Sequence, residues 1–162
     1  MNQRIYNYSI HLLARQDYSE YKLKQKLRSK KDNLPHEVDE VLLKLKEKGL
    51  LREEAYRRLF IRKWMIKGEA EDKIRKRGQQ EKLTFEDGEF EKVSVELGLT
   101  DDDNLEKLVQ KKLRGKTIPT DRIEKMKLRD KVTRFLLSKG HGYSDIKPII
   151  DKVMKGDLES YE

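Results

Sequence analysis

Hydrophobic residues recur every three or four positions along most of this 162-residue chain, which is the spacing of one face of an α-helix. The most regular segment is the third predicted helix, whose apolar residues are Val38, Val41, Leu42 and Leu45. Alternating apolar runs long enough for strands, with hairpin turns between them, do not occur. The pattern therefore predicts an all-α protein.

Residues that begin and end helices divide this pattern into short elements. Ser19 is a favourable N-cap, Pro35 suits the first turn of a helix, and Gly49 suits the position just after a helix end. Asp121 and Glu124 have the spacing of a capping box. Together with the apolar spacing, the first three signals predict three helices in the N-terminal part of the chain.

The same three-helix pattern occurs three times, which predicts repeats at 1–51, 52–100 and 101–156 and a frayed tail at 157–162. A repeat period of roughly 50 residues is typical of stacked units that share an apolar core, so about nine helices in an elongated array are expected. The second repeat is the least regular. Gly78 stands where a core leucine is expected, and it costs roughly 1 kcal/mol of helix propensity.

Two later helices have predicted apolar faces that matter below. The fourth helix is expected to bury Ala55, Leu59, Trp64 and Met65 or Ile66. The eighth, a long basic helix, is expected to bury Ile123, Met126 or Lys127, Leu128, Val132, Phe135 and Leu136. Both assignments rest on helical spacing alone.

The composition makes the core thin. Only 35% of residues are hydrophobic and 42% are charged, a balance that leaves some chains unfolded, but here the apolar residues are periodic and predict a folded protein. The absence of cysteine excludes disulfides and thiolate zinc sites. No apolar segment has the length of a membrane span or the form of a signal peptide, so we expect a soluble, cytoplasmic protein with no membrane partner.

Residues that could support catalysis are few. His11, His36 and His141 fall in different repeats and have no acidic partner at the spacing of a metal site or a catalytic triad. Asp101 to Asp103 fit the N-terminus of a helix better than a cation site. We therefore predict that the protein is not an enzyme and has no catalytic residue, metal ion or cofactor.

Basic residues are numerous and unevenly placed. The 38 lysines and arginines exceed the 30 acidic residues and give a net charge of +8, which favours a polyanion or an acidic protein surface as partner. The candidate basic surface comprises Lys22, Lys26, Arg28, Lys30, Arg62, Arg75, Lys112, Arg114, Lys131 and Arg134. A second interpretation is local, because lysine and arginine also complement helix dipoles and keep thin helices soluble.

The order of residues in the repeats resembles a known family. The first-repeat signature runs through Ala14-Arg15, Tyr18-Ser19-Glu20, Leu23, Lys26-Leu27, Lys30, Val41, Leu45, Lys48-Gly49-Leu50-Leu51, Glu54, Tyr56, Phe60 and Arg62. Weaker matches follow at Gly68, Ile74-Arg75, Lys111-Lys112-Leu113-Arg114, Phe135-Leu136, Lys139-Gly140, Tyr143 and Ile146. Over nearly its whole length the chain resembles the RecX family of bacterial recombination regulators. It departs from that family at Gly78 and at Lys82-Leu83, where a Lys-Gly turn is usual.

The resemblance implies a fold of tandem three-helix repeats in a curved, elongated molecule. It also implies a non-enzymatic regulator that lodges in the groove of the RecA recombinase filament on single-stranded DNA and inhibits its recombinase and ATPase activity. Such a protein modulates DNA repair, recombination and the SOS response. It needs no cofactor. For this chain we expect a monomer that contacts single-stranded DNA only indirectly or weakly.

Two other functions remain open at the level of sequence. An autonomous, non-specific nucleic-acid-binding helical protein would bind naked DNA or RNA tightly, with a steep dependence on salt. An interaction scaffold without nucleic acid nearby would bind neither DNA nor recombinase. Titration of labelled single-stranded DNA with and without recombinase separates the three.

Overall fold

The computed structural model describes residues 1–155, which contain nine α-helices and no strand. The helices are α1 (Gln3–Arg15), α2 (Glu20–Arg28), α3 (Pro35–Glu47), α4 (Glu53–Ile66), α5 (Glu71–Gln80), α6 (Glu89–Leu97), α7 (Asp101–Leu113), α8 (Arg122–Ser138) and α9 (Tyr143–Met154). The prediction of an all-α fold is confirmed. The predicted frayed tail at 157–162 lies outside the described residues.

By its internal contacts the chain divides into two compact units. The first unit comprises Met1–Ile61 and Lys76–Asp87, and the second comprises Arg62–Arg75 and Gly88–Glu162, described as far as residue 155. Helices α4 and α5 each contribute to both units. The predicted repeat boundaries after residues 51 and 100 stay a prediction.

The core of the first unit comes from α1, α2 and α3. Its buried side chains are Ile5, Leu12, Leu23, Leu27, Val38, Val41, Leu42, Leu45 and Leu51. The apolar face predicted for α3 is therefore confirmed. Because these helices are short and highly charged, burial of this single stripe on each helix provides most of their stability.

The predicted helix ends of the first unit are also confirmed. The Ser19 hydroxyl accepts a hydrogen bond from the Lys22 backbone N–H at 3.2 Å and caps α2. Pro35 is the first residue of α3, where its missing N–H costs nothing. Gly49 follows α3 with a φ of +66°, a left-handed conformation that favours glycine.

The irregular position at Gly78 has a local explanation in the same unit. A β-carbon built on Gly78 would lie 2.3 Å from Cε2 of Phe85 and 2.6 Å from its Cζ. The Phe85 ring therefore occupies the volume that a leucine side chain at position 78 would fill. Phe85 also packs against Phe60, with 6.1 Å between ring centroids.

The core of the second unit lies among α7, α8 and α9. Its buried side chains are Leu105, Leu108, Val109, Val132, Leu136, Ile146, Ile149, Ile150, Val153 and Met154. The N-cap half of the capping box predicted for α8 is confirmed, since the Asp121 carboxylate accepts a hydrogen bond from the Glu124 N–H at 2.9 Å. Thr100 rather than an aspartate caps α7, accepting from the Asp103 N–H at 3.1 Å. The side chains of residues 101 and 102 lie outside the described part of the structure.

Two glycine turns meet within the second unit. The backbone N–H of Ala70 donates to the Lys139 carbonyl at 2.9 Å, and the Lys139 ammonium donates to the Lys67 carbonyl at 3.0 Å. Gly140 has a φ of +90°, and a β-carbon there would lie 2.7 Å from Cβ of Lys73. Only glycine therefore fits at position 140. The two hydrogen bonds hold the α8–α9 turn against the α4–α5 turn.

The apolar face predicted for α4 is partly wrong. Leu59 is 48% exposed, whereas the buried residues of this helix are Arg57, Phe60 and Ile61. The guanidinium of buried Arg57 reaches the Glu86 carboxylate at 3.1 Å, although the Glu86 side chain is 74% exposed. Arg57 and Glu86 are 29 residues apart in the chain, so helical spacing cannot predict this ion pair.

The apolar face predicted for α8 combined two opposite sides of the helix. Val132 and Leu136 are fully buried, but Ile123 and Met126 are 62% and 59% exposed. From Val132 and Leu136 the buried side continues through half-buried Leu128, one turn earlier. Ile123 and Met126 lie on the far side, and so their assignment to the core was wrong.

Candidate interaction surface

Four of the predicted basic residues lie in the first unit, and two of them are engaged in ion pairs. The Lys22 ammonium lies 2.6 Å from Oε1 of Glu81. The Arg28 guanidinium lies 3.2 Å from Oδ2 of Asp39. Both cations remain partly exposed, so these pairs orient the side chains but contribute little to the free energy of unfolding.

Glu81 joins the Lys22 pair to α4. Its second carboxylate oxygen accepts a hydrogen bond from the Tyr56 hydroxyl at 2.8 Å. Burial of the phenol raises the pKa of Tyr56 above its ordinary value, and the hydrogen bond and negative charge of Glu81 raise it further. Because Tyr56 donates to a carboxylate that also holds Lys22, the orientation of this lysine depends on three segments of the chain.

Asp39 similarly gathers two cations at the surface of α2. The Lys24 ammonium lies 2.8 Å from Oδ1 of Asp39, next to the Arg28 contact. The hydrogen bond from Lys24 is the largest cause that lowers the pKa of the Asp39 carboxyl. Part of the positive charge of α2 is therefore neutralised locally.

The other two predicted residues of this unit present their charge to solvent. Lys26 is exposed, and within residues 1–155 no carboxylate lies within ion-pair distance of it. Lys30 is also exposed, and its ammonium lies 5.5 Å from the centroid of the Tyr8 ring, a cation–π contact. Of the four predicted residues in this unit, Lys26 and Lys30 are thus the ones open to an external anion.

In the second unit, Arg75 is also engaged internally. Its guanidinium lies 2.7 Å from the Glu71 carboxylate and 4.5 Å from the centroid of the Phe90 ring. Arg62 and Arg114, by contrast, are exposed. The helical repeat placed these three arginines correctly near the surface but carried no information about the carboxylate and ring that hold one of them.

A basic cluster forms around Phe135 of α8. The ammonium groups of Lys112 and Lys139 lie 4.5 and 5.9 Å from the centroid of this ring. Lys131 is one helical turn before Phe135 and is exposed, as is Arg134. Sequence reasoning missed Lys139 here, although its position before the glycine turn was a usable signal.

The second unit also contains a cleft of opposite charge, of about 950 Å³. Its lining includes five carboxylates, of Glu69, Glu71, Asp72, Glu91 and Asp145, and no lysine or arginine. A phosphate backbone would be repelled there, because like charges in a cleft with apolar walls interact strongly. Lys73 and Arg75 pair with two of these carboxylates, Glu69 and Glu71, and the remaining three keep the cleft unfavourable for a polyanion.

Neither a metal site nor a membrane span is found in the part of the chain that the structure describes. Within residues 1–155, no three histidine or acidic side chains are grouped so that they could hold a metal ion. No helix in that range is both long and apolar enough to cross a bilayer. The chemistry that this surface offers is charge, hydrogen bonding and apolar contact.

Comparison with known proteins gives a likeness in structure but none in sequence. No protein-family model matches the sequence, and no curated protein does. Among solved structures, the crystal structure of RecX from Lactobacillus salivarius is similar, with a TM-score of 0.67 and 21% sequence identity. The similarity covers 93% of this chain and 94% of the RecX chain. We conclude that the chain has a RecX-like, all-α fold.

Proposed function

We propose that this protein is a cytoplasmic, non-enzymatic regulator that binds the RecA recombinase filament on single-stranded DNA and inhibits its ATPase and recombinase activity. The observation that carries the proposal is the RecX-like fold, which covers 93% of the chain. The first-repeat signature, with Tyr18-Ser19-Glu20 and Lys48-Gly49-Leu50-Leu51, supports it independently of the fold.

The contacts of the basic side chains indicate which of them meet the partner. Lys22, Arg28 and Arg75 already hold carboxylates of this chain, and a new partner must compete with those contacts. Lys26, Lys30, Lys131 and Arg134 are exposed and have no carboxylate partner within residues 1–155, and the same holds for Arg62 and Arg114. We therefore assign the main electrostatic contacts to these six residues, of which the test below reverses four.

A charge-reversal experiment tests the assignment. One variant carries Lys26→Glu, Lys30→Glu, Lys131→Glu and Arg134→Glu. A matched control carries Arg15→Glu, Lys92→Glu, Lys147→Glu and Lys155→Glu, which are also exposed. Both variants lower the net charge from +8 to zero, so a difference between them reports the position of the charge and not its total.

The assay is inhibition of single-strand-dependent ATP hydrolysis by RecA. Reversal of contacting charges weakens electrostatically steered association strongly, and we expect at least about a tenfold higher concentration for half-maximal inhibition. The control is expected to remain within about threefold of the original protein. If both variants raised the concentration for half-maximal inhibition equally, the assignment of the contacts to these residues would be wrong.

The wild-type chain tests the function itself. Absence of binding to RecA filaments and of inhibition would overturn the proposal. Tight binding to naked single-stranded DNA, with a steep loss between low and high salt, would favour the autonomous nucleic-acid-binding function instead. The acidic cleft of the second unit argues against that outcome for the part of the surface around it.

A further inference from the structure

Helix α8 carries apolar side chains on two opposite faces. Val132 and Leu136 are buried in the core of the second unit, while Ile123, Met126 and Leu137 are 62%, 59% and 45% exposed. At 3.6 residues per turn, the three exposed residues fall within about 60° of one another around the helix. They form a stripe on the solvent side, which we call the outer face of α8.

Isolated hydrophobic residues on a surface are normal, but three on one stripe of one helix are not scattered. The helices that pack against α8 differ from it. Helix α7 has no exposed large hydrophobic residue among its described side chains, and α9 has only Tyr143 at its first position. The stripe is therefore a property of α8 and not of the two helices that pack against it.

The charges beside the stripe are mostly positive, although the exposed carboxylate of Asp130 lies on the stripe itself, between Met126 and Leu137. The ammonium of Lys127 lies 2.9 Å from Glu124, and Arg129 turns inward to Asp151 at 2.7 Å. Lys131 and Arg134 have no carboxylate partner among residues 1–155. The outer face thus combines an apolar stripe with a basic edge.

We propose that the outer face of α8 docks into an apolar groove with an acidic rim on a protein partner. The inference rests on the proposed function, under which this groove belongs to RecA. Aliphatic side chains gain nothing from contact with a phosphate backbone, whereas burial in a groove removes their surface from water. An amphipathic helix laid in a groove is a recurring mode of recognition, and the basic edge is complementary to an acidic rim.

The test removes the apolar contacts and leaves the charge unchanged. The variant carries Ile123→Gln and Met126→Gln, which retain good helix propensity on an exposed face. The matched control carries Leu43→Gln and Val95→Gln, at positions 60% and 75% exposed on α3 and α6. Circular dichroism and urea unfolding check that both variants fold like the original chain.

Binding is measured by sedimentation with RecA filaments assembled on single-stranded DNA with a non-hydrolysable ATP analogue. A separate titration uses naked single-stranded DNA. We expect the α8 variant to raise the Kd for filaments at least about tenfold, because truncation of central apolar anchors is costly. The control and the affinity for naked DNA are expected to change less than about threefold.

Each outcome decides between the proposals. If the original chain binds filaments and the α8 variant binds equally well, the docking face is wrong and the proposed function stands. If the variant weakens binding to naked DNA as much as to filaments, α8 contacts nucleic acid and the docking face is again wrong. If the original chain does not bind filaments, the proposed function falls, and the assignment of the groove to RecA falls with it.

Discussion

The substitution Gly78→Ala separates intrinsic helix propensity from packing. Gly78 lies inside α5, and alanine in a helix interior is favoured over glycine by about 1 kcal/mol. Propensity alone therefore predicts a more stable protein. The structure predicts the opposite, because the new methyl group would lie 2.3 Å from the Phe85 ring.

The size of the effect follows from the displacement of the Phe85 ring. A separation of 2.3 Å is more than 1 Å shorter than a normal carbon–carbon contact, so Phe85 must move. Moving it disturbs the contact with Phe60, and overpacking of this kind costs about 1–3 kcal/mol. After subtraction of the propensity gain, we expect Gly78→Ala to lower the free energy of unfolding by about 1 kcal/mol.

A double-mutant cycle with Phe85→Ala identifies the cause. Without the ring, the methyl group has room, and Gly78→Ala should then raise the free energy of unfolding by up to about 1 kcal/mol. The expected coupling energy between the two sites is thus about 2 kcal/mol. Gln79→Ala, on the exposed side of the same helix, controls for a general effect of alanine.

Urea unfolding followed by circular dichroism measures all four proteins of the cycle and the control. Comparison is valid where the dependence of the unfolding free energy on urea concentration is the same among them. A stabilising effect of Gly78→Ala in the presence of Phe85 would refute the reasoning, as would a coupling energy below about 0.5 kcal/mol.

Two further predictions concern Ser19 and Tyr56. Ser19→Ala should lower the free energy of unfolding by about 1 kcal/mol, because the lost cap leaves the Lys22 N–H unpaired. Ser19→Gly should lower it by only about a few tenths of a kcal/mol, since glycine is itself tolerated at an N-cap. Equal losses in urea unfolding would contradict the capping role. Tyr56 has a raised pKa in the folded state, so its contribution is fully present below its unfolded pKa, near 10.0, and is lost as the pH rises above that value. Tyr56→Phe should therefore be less stable at pH 7, through loss of the bond to Glu81, but lose less stability above pH 10.0. Stability curves against pH check this, with Tyr143→Phe as an exposed control, and parallel curves for all three proteins would show that Tyr56 is not responsible.

The sequence alone was sufficient to predict the helices and many of their ends. The burial of Val41 and Leu45 in α3 and the caps at Ser19 and Asp121 were all predicted correctly. These features depend on helical spacing and on hydrogen bonds between residues three apart, so the information is local. Eight of the ten candidate basic residues are exposed, whereas Arg75 and Lys112 are half-buried against aromatic rings.

The tertiary structure decided which of the equivalent-looking positions met a partner. Lys22 and Lys26 are one turn apart on α2, but only Lys22 reaches a carboxylate, that of Glu81, far along the chain. Helical spacing also could not distinguish the core side of α8 from its outer face, because both carry apolar residues at helical intervals. Packing against α7 and α9 resolves this ambiguity, since a helix buries the side that its neighbours cover. For the same reason, only the folded chain shows that the ring of Phe85 fills the space left by Gly78.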